Sequence, residues 1–405
     1  MAGRGVKVLV LSFYYEPDLS AGSFRTSALV RALAAAAPDA SIEVLTALPN
    51  RYHTFTIEAP AHEMHGNVSV DRVALPVHRS GMLDQSRAFI AFARQALRHV
   101  RGRDYDLVYA TSSRLLTASL GALIARRTKA ALYLDIRDIF VDTIKDVLRG
   151  AVATLARPAF ALLEGWTMRR ADRINLVSRG FAEYFSSRYP GRPLSFFTNG
   201  IDDEFIAALD APAPPHDEST LTIVYAGNLG EGQGLHAIVL ALANALRGRA
   251  RFRIIGDGGR RAALLDAVAA AGANNVEWQA PMPRAALIDA YRAADVLFLH
   301  LNDYDAFKKV LPSKLFEYAA LGKPIWAGVA GYAAEFVQAE IDNAAVFPPC
   351  DVGRAMQSFA QLQLRDTPRP QFVEKYTRER IMAAMAAEIV ALARAARPAR
   401  GTGTT

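Results

Sequence analysis

Lys308-Lys309-Val310-Leu311-Pro312-Ser313-Lys314-Leu315-Phe316-Glu317-Tyr318-Ala319-Ala320-Leu321-Gly322-Lys323-Pro324 is the stretch whose reading decides the fold. It follows Val296-Leu297-Phe298-Leu299-His300, a short apolar run that reads as a buried strand. Pro312 suits the first turn of a helix, where its missing N–H costs nothing. Leu315, Phe316, Ala319 and Ala320 give that helix an apolar face, and Gly322 with Pro324 ends it. The order is strand, polar loop, helix N-terminus. Free backbone N–H groups and a partial positive charge at such an N-terminus suit a phosphate, and Lys314 adds a full charge. Glu317 lies four residues after Ser313 and three after Lys314, so all three share one side of the helix. A carboxylate there is placed to accept hydrogen bonds from a ribose diol. The stretch reads as a nucleotide-diphosphate site; a plain α/β helix with a solvated Lys and Glu has the same spacing.

Length and composition frame that reading. A chain of 405 residues exceeds one hydrophobic core, so two domains are expected. With 51% apolar and 21% charged residues the composition is that of a globular protein. No apolar run is long and clean enough to span a bilayer. A strand begins by Val6, which leaves no room for a signal peptide. The single cysteine, Cys350, excludes an internal disulfide framework and a Cys-based zinc site. The expected location is therefore cytoplasmic. The net charge of +7 favours phosphate-bearing ligands or an anionic membrane surface. Its basic residues are dispersed and not interleaved with aromatics, so nucleic acid is not expected as a partner.

Taken in order, Val6–Leu11, a loop with Gly22, a helix over about 23–37 and the strand Ile42–Thr46 form a right-handed βαβ unit, the start of a parallel sheet. Residues 50–80 read as a long loop with one strand at Val68–Val73. His53, His62, His65 and His78 fall in it at a spacing that fits no strong metal motif. Further strands are expected at 105–110, 131–135, 173–178 and 194–197. Helices are expected at 86–100, after 110 to Arg126, at about 144–170 and at 180–188. The boundary falls at Thr198-Asn199-Gly200-Ile201-Asp202, with an Ala/Pro run at 211–215 beyond it. The pattern restarts with the strand Leu221–Ala226, then the strands 252–256, 276–278, 296–300 and 324–327. The tail from Phe372 to about Arg397 reads as one long helix. Two doubly wound α/β halves would place a cleft at the carboxyl ends of both sheets.

Gly227-Asn228-Leu229-Gly230 and Gly256-Asp257-Gly258-Gly259 each follow a strand and open a helix, so their backbones can approach a ligand closely. Neither shows G-x-G-x-x-G with an acidic residue about 20 positions on, which argues against a nicotinamide dehydrogenase. In the first half, Gly22 and Arg25 could meet a diphosphate, Arg25 through its fork of donors, and a surface helix arginine fits the same position equally. Asp135, Arg137 and Asp138 sit where a strand ends, a position that holds reactive groups in such sheets and equally holds structural ion pairs.

Asn199-Gly200-Ile201-Asp202, Tyr225-Ala226-Gly227-Asn228, Ile255-Gly256-Asp257-Gly258, Tyr291-Arg292-Ala293-Ala294-Asp295-Val296 and the opening stretch together resemble glycosyltransferase family 4, the retaining, nucleotide-sugar-dependent class of GT-B fold. The opening stretch with Asp135-Ile136-Arg137-Asp138 is most similar to transferases of surface-polysaccharide and O-antigen assembly, including the N-acetyl-fucosamine transferase type. The resemblance spans nearly the whole chain. It implies an α/β fold of two Rossmann-like domains: residues 1–198 for the acceptor, 199–372 for the donor, and a C-terminal helix at 373–397 returning to the first. It implies a nucleotide sugar as donor, a UDP-sugar foremost, and no metal or other cofactor. The donor residues it implies are Gly22, Arg25, Gly227, Asn228, Gly230, Gln233, Gly256, Ser313, Lys314, Leu315 and Glu317.

The family commonly carries two glutamates spaced as positions 309 and 317. Glu317 matches the second and implies ribose binding; the first is replaced by Lys309, with Asp303 or Asp305 as substitutes. An arginine and a lysine that often bind the diphosphate are replaced by Asn228 and Gln233, and a frequent histidine by Arg137. The implied reaction transfers a hexosyl group with retention. The leaving diphosphate gathers charge, and donors aimed at it act in the transition state. The candidates are Lys314, the 227–230 loop and the N–H groups of residues 313–315, with Arg137 beside the reacting groups. Asp138 is the candidate for orienting the acceptor or acting as base. The block 147–163 mixes apolar bulk with arginines; it reads either as a core helix broken by Pro158 or as a segment lying on the inner membrane surface, which suits a lipid-linked glycan acceptor. A transferase acting on a soluble acceptor, a nucleotide-sugar epimerase and an inactive nucleotide-sugar-binding partner are the alternatives.

Overall fold

The computed structural model describes residues 5–18, 20–49, 58–76, 82–112, 115–139, 141, 151–211 and 220–396. His53, His78, positions 147–150, Pro212, Pro214 and Pro215 lie outside the described residues. The chain divides into two compact units, Met1–Thr198 with Arg378–Thr405, and Asn199–Thr377.

The first unit holds β1 (Lys7–Leu11), β2 (Ser41–Ala47), β3 (His62–His65), β4 (Val68–Val73), β5 (Leu107–Thr111), β6 (Ala131–Ile136), β7 (Arg173–Leu176) and β8 (Leu194–Ser195). Its helices are α1 (Ala21–Ala36), α2 (Met82–His99), α3 (Leu115–Thr128), α4 (Ala151–Met168) and α5 (Ala182–Arg188). The sheet order is β3-β4-β2-β1-β5-β6-β7-β8. Every pair is parallel except β3 with β4.

The second unit holds β9 (Leu221–Ala226), β10 (Ala250–Ile255), β11 (Val276–Gln279), β12 (Val296–His300), β13 (Ile325–Gly328) and β14 (Ala344–Phe347). They form a parallel sheet ordered β11-β10-β9-β12-β13-β14. Around it lie α6 (Asp203–Ala207), α7 (Leu235–Ala245), α8 (Arg261–Ala270), α9 (Arg284–Arg292), α10 (Lys314–Ala320), α11 (Tyr332–Glu340), α12 (Val352–Phe359) and α13 (Pro370–Tyr376). The last helix, α14 (Arg378–Ala395), belongs to the first unit, where Met385 and Ile389 join Val8, Val10, Ile42, Val44 and Leu33 of α1 in one core.

Both sheets are doubly wound, and strand order reverses between β1 and β5 and between β9 and β12. In such sheets ligands bind beyond the carboxyl ends of the strands at that reversal. Helices on both faces explain the continuous apolar strands. In β12, Leu297 and Leu299 pack with Leu315 and Phe316 of α10, while Phe298 faces Ile223, Tyr225 and Leu235.

Three expectations need correction. The loop at 50–80 contains β3, an edge strand whose His62-Glu63-Met64-His65 lacks apolar alternation because one neighbour alone holds it. The tail is not one helix: it breaks at Thr377, with ψ of 135°, where the chain bridges Ile201 and the Ile201 N–H donates to the Tyr376 carbonyl at 2.8 Å. Helix α4 runs through Pro158 unbroken, with Arg157, Pro158 and Leu162 exposed.

Candidate functional site

The carboxyl end of β9 turns at Gly227, whose φ is +144°, a value side chains rarely adopt. A Cβ there would lie 2.4 Å from Nζ and 2.5 Å from Cε of Lys314. The lysine of α10 thus crosses the bare backbone at the strand reversal. Its Nζ also stands 5.7 Å from the centroid of the buried Tyr225 ring, within reach of a cation–π attraction. The Tyr225 hydroxyl donates to the Asn228 carbonyl at 2.7 Å and so steadies the turn that Lys314 covers.

The two glycine loops pack on each other. Gly227 N–H donates to the Ile255 carbonyl at 2.8 Å and Leu229 N–H to that of Asp257 at 2.9 Å. A Cβ on Gly256 would fall 1.9 Å from the Gly227 oxygen. Only glycine fits at position 256, because the Gly227 backbone packs against it. Asn228 and Gln233 meet side chain to side chain: Asn228 Nδ2 donates to Gln233 Oε1 at 2.8 Å, and Gly230 N–H reaches the same oxygen at 3.3 Å. This corner of the site is an amide pair, not a cationic one.

The 230–234 loop is pinned from beneath. Glu231 pairs with Arg260 and accepts the Tyr304 hydroxyl at 2.7 Å, and Asn302 Nδ2 donates to the Glu231 carbonyl at 2.9 Å. His300, fully buried at the end of β12, accepts the Cys350 N–H on Nε2 at 3.0 Å. Its proton therefore sits on Nδ1, which donates to the Gln233 carbonyl at 2.7 Å. Burial pushes the imidazole down to about 4, so it stays neutral.

Helix α10 begins at Lys314, later than Pro312, and Ser313 precedes it without a side-chain cap bond. The Leu315 N–H donates to the Pro312 carbonyl at 3.2 Å, and its side chain lies in the core. Glu317 is half-buried one turn after Ser313. Asp305 is turned to solvent and takes Lys308 Nζ at 2.7 Å; Asp303 is exposed and Lys309 half-buried.

In the first unit, Arg25 is fully buried and committed. Its Nε and one terminal nitrogen bind the two Asp135 oxygens at 2.8 and 3.0 Å, and the backbone carbonyls of Thr198 and Phe197 take further donors at 2.6 and 2.8 Å. This corrects Arg25 as a diphosphate contact. Asp135 also accepts Tyr109 and Asn175 at 2.8 and 2.6 Å. Burial works to raise its carboxyl, but Arg25 prevails and holds it below the usual carboxylate range. Above that buried pair, Arg137 lies over the start of α1. Its terminal nitrogen donates to the Ala21 carbonyl at 3.2 Å and would be 3.2 Å from a Cβ on Gly22. Burial, then the nearby Arg25 charge, lowers the Arg137 guanidinium. Asp138 keeps surface open to water, yet the protein packed around it pushes its carboxyl up to about 6, with Arg137 opposing. The hydroxyls of Thr46 and Thr111, near the carboxyl ends of β2 and β5, are buried without a hydrogen-bond partner among the described residues.

The structure thus joins Gly227 to Lys314, Asn228 and Gly230 to Gln233, and Gly22 to Arg137. Sequence reasoning missed Tyr225, Glu231, Tyr304 and His300. The last carried a signal: it is the one polar residue of Val296–His300.

Comparison with known proteins fits this geometry. Residues 20–200 match the glycosyl transferase 4-like domain, and residues 209–380 match the glycosyl transferases group 1 family. The two matches together take in most of the chain, and the protein belongs to the glycosyltransferases of GT-B fold. No curated protein sequence matches it. Among solved structures it is similar to an alpha,alpha-trehalose 6-phosphate synthase from Burkholderia multivorans, with TM-score 0.69, 12% identity and 99% of both chains covered. It is also similar to WaaG, a glycosyltransferase involved in lipopolysaccharide biosynthesis, with TM-score 0.59, 14% identity, and 98% of this chain and 95% of that one covered. A third similarity is to Anabaena Alr3699/HepE in complex with UDP, with TM-score 0.56, 15% identity, and 98% and 99% covered.

Proposed function

We propose that the protein is a retaining glycosyltransferase that moves a hexosyl group from a nucleotide-diphosphate sugar, a UDP-sugar foremost, to a lipid-linked glycan in surface-polysaccharide synthesis. The observation that carries the donor half is Lys314 crossing Gly227 at the β9/β12 reversal, with Glu317 three residues further along α10. In this reading the unit 199–377 holds the nucleotide sugar. Glu317 accepts from the ribose hydroxyls, and Lys314, lying across the Gly227–Gly230 turn, faces the diphosphate. Ser313 and the Asn228–Gln233 amides add neutral donors. The structure with UDP bound to HepE supports a uridine donor by analogy of fold alone.

The chemistry follows from where charge moves. As the glycosidic bond breaks, its electron pair stays on the leaving phosphate oxygen. An ammonium held against that oxygen gains more attraction in the transition state than in the ground state. The charge is met by protein groups, so the transfer is proposed to proceed without a metal. Arg137 and Asp138 flank the acceptor on the first unit: Arg137 orients it, and Asp138 accepts a hydrogen bond from its hydroxyl or takes its proton. Lipopolysaccharide biosynthesis by WaaG supports the surface-glycan reading. The exposed Leu162 and Arg157 of α4 support contact with the inner face of the cytoplasmic membrane, although no helix among the described residues is long and apolar enough to cross a bilayer.

Incubation of the protein with a panel of nucleotide sugars and lipid-linked acceptors tests this, with product anomers assigned by NMR. Transfer with the donor's anomeric configuration retained supports the reading. Transfer with inversion, or to soluble sugar phosphates alone, overturns its mechanism or its acceptor.

A further inference from the structure

We infer that Glu43, Asp71 and His99 form a site for a divalent transition metal of the zinc type, structural in role and separate from the transfer chemistry.

Strand alternation assembles it. Ile42 and Val44 of β2 enter the core shared with α1 and α14, so Glu43 points to the opposite face of the sheet. Leu45 pairs in register with Asp71 of β4, and Asp71 with His62 of β3, which sets both carboxylates and His62 on that same face. His99, the last residue of α2, closes over them. Partly buried carboxylates side by side are costly without a countercharge.

The donor atoms are already gathered. Ligand atoms of Glu43, Asp71 and His99 all lie within 4.8 Å of one another. His99 Nε2 contacts Glu43 Oε1 and stands 3.8 Å from Asp71 Oδ2. The three side chains are 12%, 25% and 19% exposed, in the order Glu43, Asp71, His99. One imidazole nitrogen and two carboxylate oxygens with an open fourth position suit zinc. The remaining oxygens have outer partners of the kind that orient metal ligands: Tyr105 donates to Glu43 Oε2 at 3.0 Å, and His62 Nδ1 lies 2.9 Å from Asp71 Oδ1. Binding replaces the proton between His99 and Glu43 by the metal and releases it. Arg103, 2.7 Å from Glu43 Oε1 and 47% exposed, has room to withdraw into solvent. The metal would tie β2, β4 and the end of α2 together. With no metal, the His99 Nε2–H held between the two carboxylates accounts for the same atoms, and that is the competing account.

The experiment uses the full chain, tag-free and stripped with EDTA. Zinc is titrated calorimetrically at neutral pH, and cobalt is added as a spectroscopic probe, beside Asp71→Asn and His99→Gln variants checked by circular dichroism. One zinc per chain, a tetrahedral cobalt spectrum, a raised melting temperature, and affinity at least about tenfold weaker in both variants are expected. No zinc binding by the wild type, an octahedral cobalt spectrum, or undiminished affinity in folded variants would overturn the site and leave a hydrogen-bonded histidine–carboxylate cluster. The cobalt spectrum of the unaltered chain keeps the test decisive if a variant fails to fold.

Discussion

The Nδ1–H of His300 donates to the backbone carbonyl of Gln233 at 2.7 Å, linking the end of β12 to the loop that carries the Asn228–Gln233 pair. His300 is a positioning residue: it touches the loop, and the loop faces the proposed donor. His300→Ala leaves the Gln233 carbonyl and the Cys350 N–H without their partner. The donor KM is expected to rise about tenfold, with kcat less affected, because binding common to ground and transition states is lost. His300→Asn should recover part of that loss. Steady-state kinetics against donor concentration check it; an equal fall in kcat with KM unchanged contradicts it.

The same histidine sets a pH dependence. Its pKa is 6.5 in the unperturbed state and about 4 when folded, so between these values the unfolded chain binds the proton and the native chain does not. Stability is therefore full above about 6.5 and falls as pH drops towards 4. The loss reaches up to about 3 kcal/mol. Urea denaturation across that window, wild type against His300→Gln, should show the acid loss reduced in the variant.

Arg25→Ala strips a buried carboxylate of its cation. Asp135 keeps Tyr109 and Asn175, but no charge on them answers its own. The cost is expected to be about 3–5 kcal/mol. Arg25→Lys should recover little of it, since lysine cannot bind both oxygens as a planar fork does. Denaturation of the first unit reads this, while donor affinity of the folded variant should stay near wild type.

Asp138 gives an activity limb. If its carboxylate orients or deprotonates the acceptor, kcat/KM falls as pH drops through about 6. Asp138→Asn should cut the rate about a hundredfold or more and abolish that limb. A pH–rate profile unchanged in the variant contradicts the role.

Much of this was legible in the chain. The strands Val296–His300 and Leu221–Ala226 announced themselves as apolar runs, with Gly227 at the end of one and Lys314 and Glu317 in the helix that follows the other. What stayed hidden was tertiary. Arg25 and Asp135 lie far apart in sequence, and nothing local says that a helix arginine is spent on a strand carboxylate in the core. Gly256 has the same pattern as Gly227, yet one is filled by backbone and the other by Lys314; only the packed loops distinguish them. The edge strand β3 and the break at Thr377 depend on a neighbouring strand and on Ile201, contacts that periodicity does not encode.

The Gly227–Lys314–Glu317 corner is proposed to bind a nucleotide diphosphate. Thermal stabilisation and calorimetry with UDP, GDP, ADP and dTDP sugars test it most directly on the wild type, Lys314→Ala and Glu317→Ala. One nucleotide class is expected to raise the wild-type melting temperature, and each variant to bind it at least about tenfold more weakly, each losing about 1.4 kcal/mol or more. Equal binding by the wild type and both folded variants would contradict it.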